Sequence, residues 1–71
     1  MTSKKELIKL GKHIRGMREK RNLSLENLCY KNWLEPSTVS RIENGLVEPK
    51  YITLLRLARA YKMSLKDFLD F

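Results

Sequence analysis

Between Glu35 and Gly45 the chain reads Glu-Pro-Ser-Thr-Val-Ser-Arg-Ile-Glu-Asn-Gly, and this run fixes a helix at both ends and on both faces. Pro36 suits the first helical position, where the N–H it lacks has no intrahelical partner anyway. Gly45 suits the residue just past the end, where the backbone turns left-handed. Val39 and Ile42 lie three apart, so they share a face and plug a core. Ser37, Ser40, Arg41 and Asn44 fall mostly on the opposite side. A short helix with a polar outer face, in a strongly basic chain, points to nucleic-acid recognition.

The rest of the chain has room for little else. Its 71 residues, 42% of them hydrophobic, predict one small domain spanning 1–71 with a single core. No apolar run is long enough for a transmembrane span. The N-terminal lysines are not followed by an apolar signal region, so a cytoplasmic, nucleoid-associated protein is expected. Cys29 stands alone, which rules out an internal disulfide and a cysteine-rich zinc site. Neither a Ser/His/Asp or Cys/His arrangement nor a phosphate-cradling glycine loop is present, so the chain is read as a non-enzyme without cofactor or metal. Fifteen Lys and Arg against eight acids give +7, which favours a polyanionic partner. Residues 1–21 hold eight basic and two acidic side chains, a net of +6, so the excess is not centred on the run at 35–45.

Ser3 and Glu6 form a capping-box pattern, and Leu7, Leu10, Ile14 and Met17 then follow at spacings of three, four and three. They predict a first helix over about 4–21. Its basic faces read either as solvated surface with i,i+4 pairing or as a phosphate-facing surface. A membrane-surface reading is opposed by the narrow stripe, which lacks aromatic residues. Ser24 is a good N-cap for a second helix over about 25–31 that buries Leu28 and Cys29. Residues 32–35 form a turn, with Glu35 as a weaker cap for the helix at 36–44. A loop follows at 46–50, where Pro49 pushes Glu48 out of helical conformation. Tyr51, Leu54, Leu55, Leu57, Ala58 and Tyr61 mark a fourth helix over about 51–61. Ser64, with Asp67 three residues on, opens a fifth whose apolar residues are Leu65, Phe68, Leu69 and Phe71. No period-two run suggests a strand, so the expected fold is an all-α bundle of five helices.

Leu23-Ser24, Leu28, Leu34 and the run from Ser37 to Gly45 together resemble the XRE-type helix-turn-helix family, the phage repressor and Cro-like DNA-binding domains. Pro49, Thr53 to Ala60 and Ser64-Leu65 are similar to its fourth and fifth helices. The similarity covers roughly residues 10–68 without an insertion, with the helix-turn-helix core at 24–44. It implies that the helix at 36–44 lies in the major groove of double-stranded DNA. Glu35, Pro36, Ser37 and Arg41 sit where the family usually reads base edges, with Ser40 close by. Phosphate contacts are implied for Thr38, for Asn44 and the loop to Lys50, and for Ser24 and Leu25 at the N-terminus of the second helix. Arg18 and Glu43 resemble a buried ion pair that ties the first helix to the third.

Four positions depart from the family pattern. Leu25 replaces the usual Gln, Lys62 replaces the usual Gly after the fourth helix, and Glu35 brings a negative charge to the reading end. Trp33 replaces a turn glycine that usually has positive φ, a conformation Asn32 next door tolerates better, so the turn is expected to be rebuilt around Asn32. Trp33 itself is expected to pack over the turn on neighbouring helices rather than to anchor a base or a partner. His13 is read as a surface residue and Cys29 as a small buried one.

The expected function is a sequence-specific DNA-binding transcriptional regulator of repressor type. It would act as a homodimer through the fifth helix and Phe68-Leu69-Asp70-Phe71. The rival is a protein-interaction module that keeps the fold, recognises a protein partner through an apolar patch of Leu25, Trp33 and Leu34, and reads no bases. A third possibility reconciles the charge distribution with DNA binding: phosphate contacts by Lys4, Lys5 and Lys9 of the first helix.

Overall fold

A computed structural model describes residues 3–71 as five helices: α1 (Lys4–Lys20), α2 (Leu25–Cys29), α3 (Pro36–Glu43), α4 (Tyr51–Ala60) and α5 (Leu65–Phe68). No strand occurs among the described residues, and the expected all-α architecture holds. No helix among them is long and apolar enough to cross a membrane.

Serine side chains start three of the helices. Ser3 Oγ accepts from the Glu6 N–H at 3.2 Å while the Glu6 carboxylate reaches back to the Ser3 N–H, closing the capping box. Ser24 Oγ accepts from the Asn27 N–H at 3.0 Å, and Ser64 Oγ from the Asp67 N–H at 3.2 Å. Glu35 departs from expectation. It occupies the N-cap of α3 but makes no side-chain cap, and its carboxylate instead accepts from the Thr38 hydroxyl at 3.2 Å.

Three helices stop in the same way. Asn22, Gly45 and Lys62 are left-handed, with φ of 54°, 71° and 58°. In each case the next N–H reaches back to a carbonyl of the last turn: Leu23 to Arg18 at 3.2 Å, Leu46 to Arg41 at 3.0 Å, Met63 to Ala58 at 2.9 Å. These are Schellman closures. The end of α2 is earlier than the expected residue 31, because Lys31 is already left-handed (φ 62°). Asn32 then satisfies the exposed end of α2, its backbone N–H donating to the Cys29 carbonyl at 3.1 Å and its side chain to that of Leu28 at 2.6 Å.

The core draws on every helix. Ile14, Leu28, Cys29, Val39, Ile42, Leu57, Ala58, Tyr61 and Phe68 are all buried. Each large aliphatic or aromatic side chain among them contributes roughly 1.5–3 kcal/mol by leaving water. Two assignments change here. Phe68, expected on the dimer surface with Leu69 and Phe71, is fully buried. His13 is half-buried rather than on the surface: its Nε2–H donates to the Phe68 carbonyl at 2.6 Å, and its ring stacks on Phe71 at 4.0 Å between centroids. The C-terminal turn is thereby fastened to α1.

The contact that sets the orientation of α3 lies between α1 and α3. A Cβ on Gly11 would stand 2.4 Å from the Glu43 carbonyl oxygen and 2.5 Å from that of Ile42. No other residue permits the two helices to approach so closely. The approach brings together Glu43, the one buried charged side chain among the described residues, and two arginines of α1. Arg18 grips it in a fork, Nε to Oε2 at 2.8 Å and Nη2 to Oε1 at 3.1 Å, and donates its remaining Nη1 to the Leu23 carbonyl at 2.8 Å. Arg15 Nε adds a contact to Oε1 at 3.3 Å. Bonding to Glu43 raises the Arg18 guanidinium above its already high ordinary pKa, so it stays charged.

Two stability outcomes follow from this packing. Gly11→Ala should destabilise by about 1–3 kcal/mol through overpacking against backbone that cannot yield. Gly16→Ala, in the same helix but facing open space, should stabilise by up to about 1 kcal/mol through helix propensity. Urea unfolding of both variants checks the pair, and equal effects would contradict the close approach at Gly11. Glu43→Ala should cost about 3–5 kcal/mol, because it leaves the half-buried Arg18 guanidinium without its partner and opens a cavity between α1 and α3. Arg15→Ala should cost under about 1 kcal/mol, since 42% of its side chain is exposed and solvent screens the contact.

Candidate nucleic-acid interface

With Val39, Ile42 and Glu43 turned inward, α3 presents the rest of its circumference outward. Ser37 and Arg41, one turn apart, are both exposed, as is Glu35 just before the helix. The Arg41 guanidinium makes no side-chain hydrogen bond or ion pair among the described residues. It therefore retains all five N–H donors for an external acceptor. Pro36 and Ser40 are half-buried at the edges of this face.

The residues named for phosphate contact differ in how free they are. Lys50 is exposed and precedes α4. With Thr38, Arg41, Val47, Pro49 and Thr53 it lines an open furrow between α3 and the start of α4. Thr38 is half-buried and its hydroxyl is directed to Glu35. Ser24 is exposed but its Oγ is occupied as the cap of α2. Leu25 is half-buried against the core. Asn44 is exposed, and its Oδ1 accepts from Arg15 Nη2 at 2.7 Å. Arg15 thus bridges the buried Glu43 and the surface Asn44, so the clamp reaches the end of the outer face. Nothing local in the sequence marks this, since the partners lie 28 and 29 residues apart.

The turn before α3 differs from expectation. It is not rebuilt around Asn32. Trp33 itself adopts the left-handed conformation, with φ of 59°. Its side chain does not pack over neighbouring helices but is 85% exposed. The apolar patch of Leu25, Trp33 and Leu34 is smaller than expected: both leucines are partly buried against the core, and Leu34 shares one hollow with Trp33. Arg56 of α4 donates from Nη1 to the Trp33 carbonyl at 3.2 Å, a contact the sequence did not suggest.

Two titratable side chains of the interior stay in their neutral forms. The Cys29 thiol is buried, and burial pushes its pKa up, which keeps it protonated and a poor nucleophile. Tyr61, whose hydroxyl donates to the Ile14 carbonyl at 3.3 Å, is pushed up to about 12 by the same cause. Among the described residues no group of three or more His, Cys, Asp or Glu side chains is placed to hold a metal.

Residues 9–68 match a family model described as a helix-turn-helix domain. No curated protein matches the chain significantly. Among solved structures, the restriction-modification controller protein C.AhdI from Aeromonas hydrophila is similar, with a TM-score of 0.85 and 27% identity over 93% of this chain and 96% of that one. The matched span takes in most of α1 and all of α2 to α5. The chain therefore belongs to the helix-turn-helix family of DNA-binding domains, in its XRE-type group.

Proposed function

We propose that the protein is a sequence-specific transcriptional regulator that inserts α3 into the major groove of double-stranded DNA. The observation that carries this reading is the state of Arg41: exposed, unpaired among the described residues, and mounted on a helix whose opposite face is locked into the core. A free guanidinium so mounted suits two hydrogen bonds to guanine O6 and N7. Ser37, Glu35 and Pro36 flank it at the N-terminal end, with Ser40 alongside. Lys50, Asn44, Thr38 and the N–H groups opening α2 at Ser24 and Leu25 would meet phosphates.

One copy reads only a few base pairs, so a homodimer on a two-fold related site is the natural unit, with half-sites about 34 Å apart. Its surface would be the apolar hollow lined by Leu10, Leu54, Leu69 and Phe71, where Phe71 remains 50% exposed. A repressor-type role fits a small chain that blocks a promoter by occupancy. Similarity to C.AhdI, a restriction-modification controller, supports a controlling role of this general kind.

Binding-site selection from random duplexes tests the assignment. The wild type should enrich a two-fold motif. Arg41→Ala should relax one position in each half-site, a loss of about 1–3 kcal/mol in discrimination. Lys50→Ala should weaken all sequences alike and flatten the salt dependence by about one unit of slope. An unchanged motif from Arg41→Ala would contradict the base-reading role.

A further inference from the structure

Trp33 is the residue the fold explains least. Its backbone occupies the left-handed region, costly for a bulky side chain and natural for glycine. Such a conformation is ordinarily held by some return from the side chain. Here the indole is 85% exposed and forms no hydrogen bond among the described residues. The backbone alone is braced, through the Arg56 contact to its carbonyl. Strain at a position that returns little to folding points to a role outside it.

The surroundings indicate what the ring would meet. Trp33 forms one wall of a hollow that also takes in Leu34, Glu35, Thr38, Thr53 and Arg56. Thr38 and Thr53 also line the neighbouring furrow, which runs on to Arg41 and Lys50. The indole therefore stands at one end of a continuous concave strip beside α3, and the Arg41 head group stands at the other. The strip carries Arg56, Arg41 and Lys50 against Glu35 and Glu48, a balance that favours an acidic ligand. The indole N–H only donates, which suits the acceptor-rich edge of a nucleic-acid strand, and its faces suit a deoxyribose ring.

Resting on the DNA-reading assignment, we propose that Trp33 and Arg56 form an additional DNA-contact site. The indole packs against the sugar–phosphate backbone that flanks the groove entered by α3, and Arg56 bonds the adjacent phosphate. The left-handed turn is what throws the ring outward, past the end of the helix, to where that strand runs. An apolar protein segment is the other class of occupant. The continuity with the α3 face and the net positive charge of the strip favour DNA.

The test uses the full chain and the duplex that the wild type selects. Trp33 is the only tryptophan, so its fluorescence reports this site alone. On titration at about 50–100 mM salt, the emission should change in step with binding. Trp33→Gly should leave the thermal midpoint unchanged or raise it, since glycine relieves the backbone, yet weaken DNA binding about tenfold. Arg56→Gln should weaken all sequences alike and reduce the salt slope by about one. Emission that stays constant while DNA binds, or wild-type affinity in Trp33→Gly, overturns the proposal and leaves the base-reading assignment intact. An affinity loss in Trp33→Gly that is matched by a fall in thermal midpoint also overturns it, because the residue would then act through the fold. If the wild type retains no duplex DNA even at about 50 mM salt, the base-reading assignment falls and takes this site with it.

Discussion

The Glu43 carboxylate, buried and shared between two guanidinium groups of α1, is the interaction on which the rest of the arrangement depends. A lone carboxylate at that depth is untenable, so the fold must deliver arginines to it. Delivery requires α1 and α3 to approach within the reach of Gly11, and it fixes the rotation of α3 about its own axis. With Glu43, Ile42 and Val39 committed inward, Ser37 and Arg41 have nowhere to point but out. Replacing such a pair with apolar residues is often neutral for stability. Its value here lies in specifying one orientation, since apolar contacts alone would tolerate a helix rolled by some tens of degrees.

The same clamp bears on the uneven charge. Part of the positive excess of the first 21 residues is engaged in contacts within the fold. Arg15 and Arg18 hold Glu43. Arg21 lies over the Tyr61 ring at 5.0 Å and donates to the Met17 carbonyl, and Lys9 lies 5.8 Å from the Phe71 ring centroid. Lys4, Lys5, Lys9, Lys12, Lys20 and Arg21 are nonetheless exposed. Two of the eight basic side chains are thus committed to Glu43, and the other six leave the N-terminal segment with an exposed basic surface beside the freer Arg41 and Lys50 near α3.

Local signals were legible and nonlocal ones were not. The serines at 3, 24 and 64 announced helix starts because a cap is a contact within three residues. The two faces of α3 followed from a spacing of three. The Arg18–Glu43 pair entered only through family resemblance, since nothing in a linear chain says that residues 25 apart meet. Gly11 gave no sign at all: a glycine in a helical pattern looks like a weakness until the backbone pressed against it is seen. His13 looked like surface because its partner, the Phe68 carbonyl, is 55 residues away. Lys31, Trp33 and Lys62 are left-handed without the residue types that usually mark that conformation. There the tertiary fold overrode local preference, which is why the end of α2 and the turn before α3 were misjudged.

The central claim is that the α1–α3 clamp holds the outer face of α3 ready for a DNA groove. Backbone amide shifts of the isotope-labelled chain, followed as its selected duplex is added, test it most directly. The account predicts that the largest shifts fall on Ser37 and Arg41, with further shifts at the start of α2 and at Lys50. The amides of the buried core at Ile14 and Leu57 should hardly move. Shifts concentrated on α5 or on the exposed lysines of α1, with α3 silent, would contradict it.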